Sequence, residues 1–330
     1  MVIKSGYTVI LESFNSLASY WPSPRFPLRW DCIFVLPPWL EVWWQHFGSM
    51  ADLYLCAVKQ KETIIGIAPL LLRGEEASFI GSDNVCDYLD FIIAPGNAHE
   101  FFTILLDDLI QKGISRLSLR LLKPNSSVIT HLVGIAKTRR YDVSCKMEDI
   151  SLELDLPLTW EAYLKLLNRK QRHEVRRKLR RIREMGEVSY RIIDDNKAVS
   201  DTIHFFITLF RKTNTDKKLF MTAEMESFFI SISKAIADIH LLKIGMLDID
   251  SKPVAAIIYF DYDNIIYLYN SAYDPQYSSL SVGFISKILC IKNSIESGKI
   301  KFDFLKGAEE YKYRLGGKEI PLYGCQIVLK

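Results

Sequence analysis

Two stretches near the C-terminus combine residue types that could handle charge and protons. The first, "YDPQYSSLSVGFISKIL" from Tyr273, leaves a run rich in Ile, Leu and Tyr and enters a helical pattern marked by Ser281 and Gly283. A helix N-terminus carries unpaired N–H groups and partial positive charge, so small residues there let a phosphate or pyrophosphate approach the backbone. Ser278, Ser279, Ser281, Val282 and Gly283 would line such a site; the same residues also suit a helix cap that binds nothing. The second, "FDFLKGAEEYKYRLGGKEIPLYG" from Phe302 to Gly324, sets Asp303, Glu309 and Glu310 near Lys306, Lys312 and Arg314. Its spacing predicts a strand ending at Phe304, a turn at Gly307, one helical turn through Glu309 to Tyr313, a Gly-Gly turn and a last strand. A charged turn between strands is also an ordinary solvated connection.

A third stretch concentrates positive charge. "NRKQRHEVRRKLRRIREMG", Asn168 to Gly186, predicts the end of a helix that starts near Trp160, with Val175, Leu179, Ile182 and Met185 as one narrow apolar stripe. Arg169, Lys170, Arg172, Arg176, Arg177, Lys178, Arg180, Arg181 and Arg183 occupy the remainder, against only Glu174 and Glu184. So much like charge is costly unless anions or an acidic surface lie opposite. Arginine outnumbers lysine, which favours bidentate recognition of phosphate, with Arg172, Arg176, Arg177 and Arg180 as the candidate contacts. Interleaved aromatics are lacking, so sequence-specific reading of RNA bases is not indicated.

The elements that must position these residues follow from apolar periodicity. Short runs such as "LYLCAV", "IIGIAPLLL", "ASFIG", "YLDFII" and "LSLRLL", then "LLKIGMLDI", "VAAIIYF", "IIYLYNSA" and "IKFDF", are bounded by turn residues and predict strands. Longer patterns predict helices over His99–Lys112, Trp160–Met185, Lys197–Asn214, Ala223–Ala237 and Ser281–Ser297. The mixture predicts an α+β (mixed α/β) fold with twisted mixed sheets flanked by helices. The order hairpin, strand, loop, helix, strand occurs twice, with Pro95 and Pro275 after the third strand and Gly113 and Gly298 closing the helix. Two copies of one domain are therefore expected, residues 1–150 and 151–330, joined near Ser144 to Asp155.

Bulk properties bound the reading. The 330 residues are 49% hydrophobic and 25% charged, enough for two packed cores. A net charge of +3 excludes a nucleic-acid coat, so DNA is not an expected partner. Cys32, Cys56, Cys86, Cys145, Cys290 and Cys325 form no C-x-x-C pair, which predicts reduced thiols in a cytoplasmic protein and no metal site. The start "MVIKSGYTVILESF" lacks a secretory pattern, and the longest apolar run, around "TIIGIAPLLL", is too short for a membrane span.

Strand, Asp-Pro, small-residue loop and helix together resemble the acyl-CoA-binding element of the GNAT acetyltransferases, whose pattern is Gln/Arg-x-x-Gly-x-Gly/Ala. Ser278, Ser281 and Gly283 stand where that family usually has Arg or Gln and two glycines. The pattern Asp-Phe-x-x-Gly, a spacer and Tyr-Lys-x-x-x-Gly-Gly resembles the end of the FemAB-like proteins. It is more similar still to the CelD-like acetyltransferase branch of cellulose and exopolysaccharide loci, built from two tandem GNAT-type domains. Leu315 replaces the Phe that FemAB-like proteins carry before Gly.

This resemblance implies N-acyl transfer, from acyl-CoA or acetyl-CoA or else from an aminoacyl-tRNA, to an amine of a cell-envelope or exopolysaccharide precursor. Such chemistry asks for a base, donors to the tetrahedral oxyanion and an acid by the leaving group. Lys312 matches the lysine of the FemAB motif and is the implied electrostatic stabiliser. Asp303 is the candidate base or orienting carboxylate, although a carboxylate at a strand end also anchors turns. Tyr273 or Tyr277 would protonate the leaving thiolate, and Asp87 and Asp90 would line part of the acceptor cleft. The basic helix would hold CoA phosphates, a nucleotide- or lipid-linked sugar phosphate, or RNA. A non-catalytic module for anionic glycans or lipid headgroups is the reading from another class.

Overall fold

The computed structural model describes residues 6–23 and 25–329. The reading of the chain start rests partly on residues 1–5, which lie outside the described residues. Contacts divide the chain into two compact units: one runs up to Asp149 and resumes from Ile320, the other is Ile150–Glu319.

The first unit builds β1 (Tyr7–Leu11), α1 (Phe14–Tyr20), α2 (Pro37–Phe47), β2 (Asp52–Gln60), β3 (Thr63–Arg73), β4 (Glu76–Phe79), β5 (Ile92–Ile93), α3 (Ala98–Gln111), β6 (Arg116–Leu122) and α4 (Val133–Thr138). A single π-helical turn, Val128–Leu132, leads into α4. β7 (Asp142–Asp155) leaves this unit for the second, which holds α5 (Trp160–Leu166), α6 (Arg169–Arg183), β8 (Val188–Ile193), α7 (Asn196–Thr213), α8 (Thr215–Phe220) and α9 (Ala223–Asp238). It continues with β9 (Leu242–Ile249), β10 (Lys252–Tyr262), β11 (Ile265–Tyr273), α10 (Val282–Glu296), β12 (Lys301–Lys306) and α11 (Glu310–Arg314), before β13 (Lys318–Val328) returns to the first.

Strand order makes the internal repeat explicit. The first unit runs β1-β2-β3-β4-β6-β13, with β5 on β3; the second runs β8-β9-β10-β11-β12-β7. In each, four strands meander antiparallel, one joint is parallel (β4 with β6, β11 with β12) and a helix crosses it, as a parallel connection requires. The sixth strand of each is antiparallel and comes from the far end of the repeat: β13 on β6, β7 on β12. A division with the whole C-terminus in the second domain is therefore corrected: residues from Ile320 on complete the first sheet.

Alternation along the central strands of the second unit feeds two layers of side chains. Ile257, Tyr259, Ile266 and Leu268 join α5, α6 and α10 in one core through Tyr163, Leu164, Val175, Ile288 and Ile291. Phe260 instead meets Tyr269, which stacks on Phe229 of α9, and Phe229 packs with Phe210 of α7.

Four expectations are corrected by local physics. The basic helix does not begin at Trp160. Asn168 is extended and caps a new helix, accepting from the Gln171 N–H while Gln171 Oε1 accepts from the Asn168 N–H, so α5 and α6 are separate. Met185 lies beyond α6 and is 55% exposed, leaving Val175 and Ile182 as the buried stripe with Leu179 half-buried. "YLDFII" yields only the two-residue β5, because Asp90 Oδ1 takes the Phe91 N–H itself. The joint expected near Ser144–Asp155 does contain the division between the units, at Asp149/Ile150, and the 14-residue strand β7 runs through it. On it Cys145 is disulfide-bonded to Cys325 of β13, 180 residues away, so these two are not reduced thiols: the return of the C-terminal strand brings them together. Among the described residues no helix is long and apolar enough to cross a membrane.

Candidate acyl-transfer site

The second unit opens where its parallel strands part. β11 pairs β12 only through Ile265↔Lys301, Ile266↔Phe302 and Tyr267↔Asp303, while β11 continues to Tyr273 and β12 to Lys306. Beyond Tyr267 the backbone of β11 has no strand partner on that side, and side chains hold part of it: Lys217 at the Ser271 carbonyl and Thr213 at Tyr273.

Above the parted end of β11 the chain turns into α10. Asp274 caps a 3-10 turn, Pro275–Leu280, by accepting from the Gln276 N–H at 3.0 Å. Ser281 then adopts φ +58°, a left-handed conformation uncommon for serine, and accepts with its carbonyl from Phe284 and Ile285. Its side chain does not cap the helix; Ser281 Oγ instead meets Lys178 Nζ at 2.6 Å. The N–H groups of Val282 and Gly283 therefore lie ahead of the first intrahelical bonds, at an end with no acidic side chain in its first turn. Gly283 is required by close packing: a Cβ there would stand 2.7 Å from Cδ1 of Tyr273. Thr213 holds the Tyr273 backbone: its Oγ1 accepts from the Tyr273 N–H at 3.0 Å, and its one hydroxyl hydrogen has the carbonyls of Leu209 (3.0 Å) and Tyr273 (3.2 Å) within reach.

The parted end of β12 is fixed by Asp303 and Lys312. Asp303 is fully buried, and its Oδ1 accepts from the Leu305 N–H at 2.8 Å, holding Leu305 at φ +62°. A leucine in that region costs roughly 1–2 kcal/mol, so the turn is over-determined by its surroundings. Lys312, 1% exposed, donates to the carbonyls of Leu305 (3.0 Å), Lys306 (2.6 Å) and Gly307 (3.0 Å) and pairs with Glu309 at 2.8 Å. Four acceptors share three N–H bonds. The charge of Lys312 is thus fixed at the gap, with no donor left over for a reacting carbonyl.

Two further lysines, absent from the sequence-based set, face this gap. Lys217 of α8 hydrogen-bonds the carbonyl of Ser271 on the unpaired part of β11, and burial lowers its pKa to about 8. Lys287, one turn into α10, is 6% exposed, donates to the Gly283 carbonyl at 2.8 Å and lies 4.7 Å from the centre of the Tyr311 ring. Burial first, then the neighbouring Lys217 charge, brings it down to about 7. The sequence carries a signal for Lys287, a cation flanked by apolar positions in "GFISKILCI"; nothing in "TDKKLF" marks Lys217.

The remaining sequence-based candidates fall in separate places. Tyr277 is half-buried in the 3-10 turn and packs beside Ile182, Leu280 and Val282, whereas Ser278 and Ser279 are exposed. On α6, Arg176, Arg177 and Arg180 are exposed; Arg172 is half-buried and donates to the Leu167 carbonyl at 3.1 Å. Asp90 belongs to the first unit, where its carboxylate accepts from the Ser127 N–H at 2.8 Å and from Ser127 Oγ at 2.5 Å, starting the π-helical turn. Burial pushes that carboxyl up to about 6. Asp87 is half-buried in the same segment.

Comparison with known proteins agrees with this geometry. Residues 169–313 match the family model described as an acetyltransferase (GNAT) domain. No curated protein matches the chain. Among solved structures the chain is similar to FemX, with a TM-score of 0.65 at 10% identity over 96% of each chain. It is also similar to a conserved protein of unknown function from Bacteroides thetaiotaomicron, TM-score 0.62 at 11% identity over 97% of this chain and 99% of that one. A third likeness is to L-PGS from Bacillus licheniformis, TM-score 0.54 at 10% identity over 88% and 90%. At these identities the likeness is one of fold. The parted parallel strands, the crossing helix and the family match together place an acetyltransferase (GNAT) domain at residues 169–313, and the protein is an acyltransferase.

Proposed function

We propose that the second unit takes an acyl-CoA, acetyl-CoA being the simplest, and transfers its acyl group to an amine of a cell-envelope or exopolysaccharide precursor. The carrying observation is the junction of the parted β11 and β12 with the start of α10, where Lys178 of the basic helix reaches Ser281. An extended pantetheine chain suits the unpaired edge of β11, and the pyrophosphate suits the N–H groups of Val282 and Gly283 beside the Lys178 ammonium. Calorimetry with CoA tests this: wild type binds, and Lys178→Ala weakens binding about 3- to 10-fold, the worth of one exposed or half-buried phosphate contact. Absence of CoA binding in the wild type removes the reading.

A second donor is favoured by one observation. Arg169, Lys170, Arg176, Arg177, Arg180, Arg181 and Arg183 are all exposed on α6, and among the ion pairs of the described residues only Arg180 meets an acid, Glu184 at 3.7 Å. Such a face suits a polyanion, and an aminoacyl-tRNA would bring both the anion and an acyl group. Binding of tRNA that falls steeply with salt and is abolished by neutralising Arg176, Arg177, Arg180 and Arg181 would favour this donor over CoA.

A further inference from the structure

Three amines bridge the strands that part in the second unit. Lys217 is bound to Ser271 on β11, Lys312 to Leu305 and Lys306 on β12, and Lys287 stands between them on the helix that crosses the gap. Glu309 is a carboxylate that acts on all three, and Lys312 takes it at 2.8 Å. Among the described residues neither Lys217 nor Lys287 forms an ion pair; each has a backbone carbonyl instead.

We propose that Lys287 is the proton acceptor for the amine nucleophile in acyl transfer, with Lys217 and Lys312 as the positioning charges around it. The inference rests on the acyl-transfer reading above. A buried ammonium without a carboxylate is unfavourable, and two like charges across the gap make it more so. The groups facing Lys287 are Lys217 from α8, Glu309 and Lys312 at α11, the Tyr311 ring, and Cys290 on its own helix. Only Glu309 and Cys290 favour the charged form, and burial keeps the Cys290 thiol protonated, up at about 12. The neutral amine spends one N–H on Gly283 and retains its lone pair. Asp303 is a weaker base for the same step, since its carboxylate is fully buried and holds Leu305.

The step balances without another reagent. The acceptor nitrogen attacks the thioester carbonyl, a C–N bond forms and the carbonyl electron pair moves to oxygen. The proton on that nitrogen passes to Nζ of Lys287. As the carbonyl re-forms, the C–S bond breaks and the thiolate takes the proton from the Lys287 ammonium, leaving an amide, a free thiol and a neutral lysine.

The test uses the full chain with acetyl-CoA as donor and hydroxylamine as the amine, reading hydroxamate across pH ~5 to ~9. Wild-type kcat/KM is expected to rise with pH through an apparent pKa near 7. Lys287→Met and Lys287→Arg are expected to lose that limb and about 10²–10³-fold in rate, while binding CoA as wild type does, which also reports that they fold. Retention of the limb, or a loss under about 10-fold in both variants, overturns the proposal. Independently, 15N NMR of the lysine ammonium groups should show Lys287 titrating near 7 and moving up in Lys217→Met; titration above about 9 overturns it. The NMR arm decides the state of Lys287 even where wild type moves no acetyl group, an outcome that counts against the acyl-CoA reading itself.

Discussion

The two units carry the same joint and finish it differently. In each, a parallel pair parts after three registered residues, and the penultimate residue of the outgoing strand is a buried leucine in the left-handed region: Leu121 at φ +61° and Leu305 at φ +62°. In the first unit the Leu121 carbonyl accepts from the backbone N–H of Leu89 at 3.0 Å, and the same unit packs Phe91, Phe101 and Phe102 edge to face, with Phe79 tilted on Phe91. In the second, the Leu305 carbonyl accepts from the ammonium of Lys312, and lysines line the opening. The crossing helices differ in the same sense, since α3 has Glu100 in its first turn and α10 has no acid there. An anion is repelled at the start of α3 and attracted at α10. One backbone plan thus serves as packed scaffold in one copy and as a charged opening in the other.

The sharpest way to break this comparison is at the leucine carbonyls. Lys312→Met leaves three turn carbonyls, that of the left-handed Leu305 among them, without their donor, so a loss of about 3 kcal/mol is expected in urea unfolding. Short of proline, no substitution removes the corresponding bond in the first unit, because Leu89 supplies it from its backbone. A loss under about 0.5 kcal/mol for Lys312→Met would mean that the turn closes without the lysine.

Proton linkage separates the units with opposite sign. Lys217 and Lys287 have folded pKa values lowered to about 8 and about 7, below the unfolded value, so the unfolded chain binds more protons between there and pH ~10. Stability of the second unit should therefore rise with pH over that window, each lysine contributing up to ~1.4 kcal/mol per pH unit. Asp90 in the first unit has a folded pKa raised to about 6. Its contribution is present below the unfolded carboxyl value and is lost as pH rises through about 6. Hydrogen exchange resolved by segment reads both; a second unit whose protection stays flat from pH ~7 to ~10 would contradict charged-lysine burial.

Periodicity made the repeat legible, because alternating strands and an amphipathic helix leave the same trace each time they occur. It could not show that the copies exchange their sixth strands: β7 lies within the first half of the chain and β13 at its end, and pairing across such separations has no local signal. The break between α5 and α6 was written in Asn168 and Gln171 as a capping box, but the continuous basic run masked it. Of the candidate site, the α10 start, Asp303 and Lys312 are legible as a loop and a motif. The parting of β11 from β12 and the meeting of three lysines from α8, α10 and α11 are tertiary facts, reached only by folding.

The smallest effect tests the glycines. Gly134, in α4 of the first unit, has nothing within 4 Å of a built Cβ. Gly134→Ala should stabilise by up to about 1 kcal/mol, the difference in helix propensity. Gly283 occupies a helical position too, yet there the methyl meets Tyr273, whose backbone Thr213 holds in place. The ring must swing off the start of α10, so Gly283→Ala should forfeit the propensity gain and destabilise by about 1 kcal/mol. Under the proposed acyl-CoA reading it should also weaken CoA binding, since the methyl would crowd the N–H groups of Val282 and Gly283. Equal and favourable shifts in the two variants would show that the α10 start has room to spare, and the difference between the units would then lie in charge alone.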